Sequence, residues 1–285
     1  MKRRVRKWED MNIDCLAKIF EGSGMETLIF SAPLVCKNWH TATLDPQCWK
    51  VLDFKSVVDS KMRNLHLVPQ NFVIGDPHDF LFDPPLIYEL VKYAVDRSQG
   101  IATKVVLPES EGEFEDIMNY ISNGCPMLKT LVLPVSYQLY KEYGCLSKLI
   151  KKWKDLEHLT VSCQEHFHDI LTEISTHCKN FVSLTTSPIV ARKAARAIVT
   201  LLPKIKSLTL GGSSLDRRSL ILILFICKDL EFLDIRNCEG FYGKDEEILA
   251  RSSHIGTFLS DGSYLEDYYY GSDVDFDLPD DYLSG

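Results

Sequence analysis

Apolar runs are short throughout this chain. The longest, Leu220 to Cys227, is eight residues, against the roughly 20 that a membrane-spanning helix needs, so no transmembrane segment is expected. The basic start Met1-Lys2-Arg3-Arg4-Val5-Arg6-Lys7 is not followed by an apolar core, which argues against a secretory signal peptide. The expected compartment is therefore the cytoplasm or the nucleus, and the basic run reads either as a nuclear-import signal or as a solvated chain end. The nine cysteines include no Cys-x-x-Cys pair. In a chain that is not secreted they read as reduced thiols rather than as a disulfide framework. Gly-x-Ser-x-Gly, Gly-x-Gly-x-x-Gly and Walker-type loops are all missing, so nothing supports a hydrolase or a nucleotide-binding enzyme. Gly211-Gly212-Ser213-Ser214 lacks the lysine and spacing of a phosphate loop and reads as a turn.

Positive charge is not in excess either. The chain of 285 residues has a formal charge of −8, and the surplus sits at one end. Residues 261–285 hold eight acidic groups and no Lys or Arg; removing them from the 40 acidic residues leaves 32, equal to the 32 Lys and Arg. A balanced body offers no broad basic face, so no nucleic-acid partner is expected. The tail carries five tyrosines among its acids and reads as disordered.

What is present begins with a compact set of motifs. Trp8-Glu9-Asp10-Met11-Asn12-Ile13-Asp14-Cys15-Leu16-Ala17-Lys18-Ile19-Phe20 predicts a helix with Leu16, Ile19 and Phe20 on one stripe and Asn12 as its N-cap. Leu28, then Pro33-Leu34-Val35-Cys36-Lys37-Asn38-Trp39, give two further apolar stripes, and Asp45-Pro46-Gln47-Cys48-Trp49-Lys50-Val51-Leu52-Asp53-Phe54 follows. About forty residues with this much apolar surface cannot bury it among themselves and need a partner.

After residue 100 the chain repeats. Ala102-Thr103-Lys104-Val105-Val106-Leu107-Pro108 aligns with Leu128-Lys129-Thr130-Leu131-Val132-Leu133-Pro134, and the frame recurs from Leu156, Phe181, Ile205 and Leu230, at steps of 26, 28, 25, 24 and 25 residues. A segment of helical periodicity precedes each frame. Helix then short strand at this interval builds a curved solenoid with parallel strands on its concave side. Trp49-Val51-Leu52-Phe54 would supply the first strand, residues 55–83, with Pro69, Gly75 and Pro77, an irregular insertion, and residues 244–260 a capping helix, for about six or seven strands in all. Cys125, Cys178 and Cys227 stand at one equivalent place, three residues before the frame, and are expected to point inward.

The N-terminal motifs resemble a plant-type F-box, over roughly residues 8–54, with its Leu-Val-Cys-Lys-x-Trp and Asp-Pro-x-x-Trp elements. Cys227-Lys228-Asp229-Leu230-Glu231-Phe232-Leu233-Asp234-Ile235-Arg236-Asn237-Cys238 resembles the cysteine-containing class of leucine-rich repeat. The expected fold is thus an α/β solenoid: a basic segment at 1–7, a three-helix F-box at 8–49, a short leucine-rich-repeat array at 50–260 and an acidic tail at 261–285. The resemblance implies a substrate receptor of an SCF-type ubiquitin ligase. Its F-box would bind a Skp-type adaptor, and through it cullin and a RING subunit, with no catalytic residue and no cofactor of its own. The adaptor-facing set carried over is Met11, Asn12, Leu16, Ile19, Phe20, Leu28, Leu34, Val35, Cys36 and Trp39. Met11-Asn12 departs from the Leu-Pro usual in the family; Asn12 can still cap the helix but lacks the apolar ring.

Thr160, Thr185 and Thr209 fall at one place in three consecutive frames, beside His158, Phe232, Asp234 and Arg236. They are the candidate substrate-binding set on the concave face, although a ladder of β-branched residues is also what a strand surface prefers. Glu165-His166-Phe167-His168-Asp169 with Cys163 is the one cluster that could suggest a metal; lying where a strand gives way to a helix, it reads as a helix start, and no metal is expected. Other readings stay open: an adaptor-binding protein acting outside a ligase, or a scaffold or inhibitor that binds no adaptor. A hormone receptor would need a longer, nearly closed solenoid.

Overall fold

A computed structural model describes residues 8–65, 84–109, 114–134, 144–162, 165–186 and 191–265. The basic segment 1–7 and the tail from residue 266 onward lie outside the described residues, as do Cys163 and residues 66–83.

Three short helices come first: α1 (Ile13–Phe20), α2 (Met25–Phe30) and α3 (Lys37–Thr43). Asn12 caps α1 as expected, its side-chain oxygen accepting from the Asp14 N–H at 2.7 Å. The turn at Pro46–Trp49 starts with Asp45 accepting from the Gln47 N–H. It drives Trp49 into the core, where the indole N–H donates to the Thr43 carbonyl at 2.8 Å. Cys48 lies beside it, its thiol against the carbonyls of Ala17 and Ala42. This buried pair fastens the helices to the first strand.

Eight three-residue strands follow in one parallel sheet whose spatial order is the chain order. They are β1 (Val51–Asp53), β2 (Lys104–Val106), β3 (Thr130–Val132), β4 (His158–Thr160), β5 (Ser183–Thr185), β6 (Ser207–Thr209), β7 (Phe232–Asp234) and β8 (Thr257–Leu259). The register is exact across the centre: Leu52, Val105, Leu131, Leu159, Leu184, Leu208, Leu233 and Phe258 stand side by side. All but Phe258, which closes the row, are essentially inaccessible to solvent. A strand alternates its side chains, so one inward residue forces its two neighbours outward.

The inward row packs on stacked helices: α5 (Pro84–Ser98), α6 (Phe114–Gly124), α7 (Gly144–Ile150), α8 (Phe167–His177), α9 (Ala191–Leu201), α10 (Arg217–Ile226) and α11 (Glu246–Ser252). Each supplies an apolar stripe, such as Ile170, Leu171 and Ile174 of α8 or Leu220, Ile223 and Leu224 of α10. Neighbouring strands sit about 4.8 Å apart whereas helices need about 10 Å. Each repeat is therefore a wedge, and the sheet lies on the inside of the bend.

Three details differ from the expectations. Phe54–Leu65 forms a helix, α4, within the stretch read as irregular, and it comes against α2 and β2. Its start is fixed by Asp53, whose carboxylate accepts from the Ser56 N–H. Residues 244–260 make not a cap but another repeat, α11 followed by β8, so the array has eight strands. The tail begins later than residue 261: Tyr264 pairs in parallel with Glu239, which pairs with Ser214. Gly240 makes that second ladder fit, with φ of 113° and a position where a Cβ would come within 2.7 Å of the Leu215 carbonyl.

Candidate protein-docking surfaces

The first surface is on the helical module. Leu16, Phe20 and Leu28 are 1–3% exposed and belong to the chain's own core, which corrects the expectation that they face a partner. α1 turns Leu16, Ala17 and Phe20 inward, and Phe20 meets Trp39 edge to face at 5.2 Å between centroids. Trp39 is accordingly half-buried, as is Met11; the Trp39 indole N–H points at the Trp8 carbonyl. Cys36 is partly exposed. The outward groups of the expected set are Asn12, Ile19, Leu34 and Val35, with Leu34 81% exposed, Val35 57% and Ile19 50%. Asn12, Cys15 and Ile19, spaced by three and four residues, share one strip of α1. Trp8, Ile13 and Phe30, outside the expected set, are exposed as well. Their signal was that each is a large apolar residue lying off the stripe that the helices use internally.

Glu21 ties this module to the array. Its carboxylate accepts from Lys18 of α1 and from Lys50, the residue just before β1. These two ammonium groups hold its pKa down to about 2.

The second surface is the concave sheet face. Val132, Thr160, Thr185, Thr209 and Asp234 are consecutive register partners, and so are Thr130, His158, Ser183, Ser207 and Phe232. The candidate residues His158, Thr160, Thr185, Thr209, Phe232 and Asp234 are thus brought onto one face. Asp234 is the exception to presentation, being 7% exposed. Its carboxylate accepts from the Arg236 Nε, Nη2 and backbone N–H groups, at 3.0, 2.7 and 3.1 Å. Arg236 holds the Asp234 carboxyl below the usual carboxylate range. Asp234 therefore positions Arg236, and the guanidinium is what solvent sees.

Among the described residues no three His, Cys, Asp or Glu side chains converge as metal ligands. His166 precedes α8 and His168 lies on its exposed side. Cys125, Cys178 and Cys227 are buried, and burial pushes their thiols up to about 12, 11 and 12, which leaves no thiolate for nucleophilic work. No described helix is long and apolar enough to cross a membrane.

No protein-family model matches the chain. Curated relatives do. An F-box/LRR-repeat protein of Arabidopsis thaliana is 30% identical over 233 residues, which is 82% of this chain and 72% of that protein. The chain belongs to the F-box/LRR-repeat family. F-box protein FBW2 of the same plant is 25% identical over 242 residues, covering 82% of this chain and 68% of its own. F-box protein SKIP19, also from Arabidopsis, is 26% identical over 234 residues, with 81% and 69% covered. The F-box is thus the helical module at the start of the chain, and the leucine-rich repeats are the eight parallel turns.

Proposed function

We propose that this chain is the substrate-recognition subunit of an SCF-type ubiquitin ligase. Its F-box binds a Skp-type adaptor, and through it cullin and a RING subunit, while its repeats hold a protein substrate. Ubiquitin transfer takes place on other subunits, so the chain needs no catalytic residue and no cofactor, and it works in the cytoplasm or nucleus. The observation that carries this reading is the exposure of Leu34, Val35 and Ile19 on a module whose other side is committed to the array. Large apolar groups left out of a packed core mark an interaction surface. The concave face, with His158, Thr160, Thr185, Thr209, Phe232 and Arg236, is the substrate side, and it lies on separate elements from the adaptor side.

The test is co-purification. Wild-type chain co-expressed with a Skp-type adaptor should recover adaptor and cullin together. Leu34→Ala with Val35→Ala should cut adaptor recovery by about tenfold or more, since apolar anchors at an interface centre cost about 2 kcal/mol or more each. Both side chains are solvent-exposed in the free chain, so circular dichroism should stay unchanged. Equal recovery by mutant and wild type would sink the assignment. Adaptor without cullin would instead indicate a role outside a ligase.

A further inference from the structure

The concave face also says what kind of segment it holds. Strands β3 to β6 present eight outward side chains, all half-buried. Six of them carry a hydroxyl: Thr130, Thr160, Ser183, Thr185, Ser207 and Thr209. Strand preference accounts for the threonines but not for the two serines. By contrast, the hydroxyls of Ser98, Ser122, Thr172 and Thr176 on the helices donate to backbone carbonyls one helical turn back. None of the six on the sheet is engaged by another group among the described residues.

Charge is as informative. His158 is the only ionisable group in that block. Along its border the charges neutralise each other, Lys129 with Glu157 and Lys206 with Glu231, both at 2.7 Å. Past one end of the block stands Lys104 of β2, exposed and without an ion pair among the described residues. Past the other end stands Phe232 of β7, half-buried beside Ser207. An ionised side chain laid on the hydroxyl floor would lose water, and the one ionisable side chain there, His158, already faces the Glu157 carboxylate at 3.9 Å. A neutral hydroxyl or amide would find groups that both donate and accept.

The geometry points to an extended protein segment of about seven residues lying across the strands, with uncharged hydroxyl or amide side chains at its centre, a carboxylate over Lys104 and an apolar or aromatic side chain against Phe232. The length follows from five inter-strand steps of about 4.8 Å, roughly 24 Å, set against about 3.3 Å per extended residue. This rests on the reading of the concave face as the substrate side, and it names the class of substrate.

The experiment selects bead-displayed random octapeptides on the full-length chain co-expressed with a Skp-type adaptor. Enriched peptides should favour Ser, Thr, Asn and Gln at the centre, exclude Asp, Glu, Lys and Arg there, and carry an acid at one end and an aromatic at the other. A fluorescein-labelled peptide from that pool should bind Thr185→Asp about tenfold more weakly. Lys104→Glu should bind it about threefold more weakly, as for one exposed ion pair, and repeat selection should exchange the terminal acid for a base. A pool with acidic or phosphorylated centres, a pool indifferent to Lys104→Glu, or no enrichment at all would overturn the proposal. Adaptor recovery is read in parallel. Failure there with a correct peptide pool would strike the ligase reading alone, and normal recovery with a wrong pool would strike this inference alone.

Discussion

Leu208 in β6 is fully buried, whereas Leu34 in the F-box is 81% exposed, although each sits in a segment of only three or four residues. The difference lies in what surrounds them. Leu208 has a leucine beside it on both neighbouring strands and helices beneath it. The array buries its apolar row by repetition, each turn covering the last. The F-box has three helices of six to eight residues, too few layers to cover all it carries. It buries Leu16, Phe20, Leu28 and Trp49 and leaves Ile19, Leu34 and Val35 outside. One region covers its own apolar row and the other leaves large apolar side chains in solvent.

Stability should follow that division. Leu208→Ala should cost about 2–5 kcal/mol, the range for a leucine truncated in a core. Leu34→Ala should change stability by no more than about 0.5 kcal/mol, as for an open surface. Urea denaturation of the free chain checks both, and comparable losses would break the comparison.

Thiol chemistry sharpens it. Cys15 and Cys36 of the F-box are exposed and partly exposed, whereas Cys125, Cys178 and Cys227 of the array are buried. Alkylation under native conditions should modify Cys15 and Cys36 at least about 100-fold faster than the three array thiols. The array thiols ionise in the folded chain only near 11–12, above the ordinary 9.0. Below pH 9 their contribution to stability is therefore intact. It declines as pH rises from there through 11–12, because only the unfolded chain can form thiolates easily. The urea midpoint should accordingly hold constant from about pH 6 to 8 and fall above about 9. A midpoint that rose with alkaline pH would contradict the burial of these groups.

The smallest effect concerns a flaw in the array's own burial. Thr186 follows β5 at the place that holds Leu133, Val161 and Leu210 in neighbouring turns. Its hydroxyl is buried with no hydrogen-bond partner. Thr186→Val should be neutral or stabilising by up to about 1 kcal/mol, since it removes an unmet hydroxyl at nearly constant shape. A loss of stability would mean that the hydroxyl is satisfied in solution.

Residues 102–235 announced their fold openly. A parallel sheet of in-register turns needs one inward residue per strand at a fixed interval, and spacing along the chain displays that interval. The eighth strand is not legible in the frame because Ile255, Phe258 and Ser260 replace the usual leucines. α4 is obscured in the sequence by Pro69 and Pro77 after it, which break periodicity over the stretch 55–83, while Phe54, Val57 and Val58 are buried in a helical pattern. The concave candidates His158, Thr160, Thr185 and Thr209 were legible for the same reason as the strands, since register converts sequence spacing into a shared face.

By itself, then, the sequence determined the repeat, the direction each strand residue faces, the capping of α1 by Asn12 and the inward thiols, all of which depend on neighbours one turn away or one period apart. Only the tertiary structure decided which F-box residues face out and whether Asp234 is presented. Leu16 and Leu34 are the same residue type on equally short apolar stripes, and nothing local tells them apart. Leu16 is buried because the elements carrying Trp39 and Cys48 close over α1, and Asp234 because Arg236 folds back onto it. Those contacts join residues whose meeting is set by how the helices cross, and a side chain's exposure is a property of that packing.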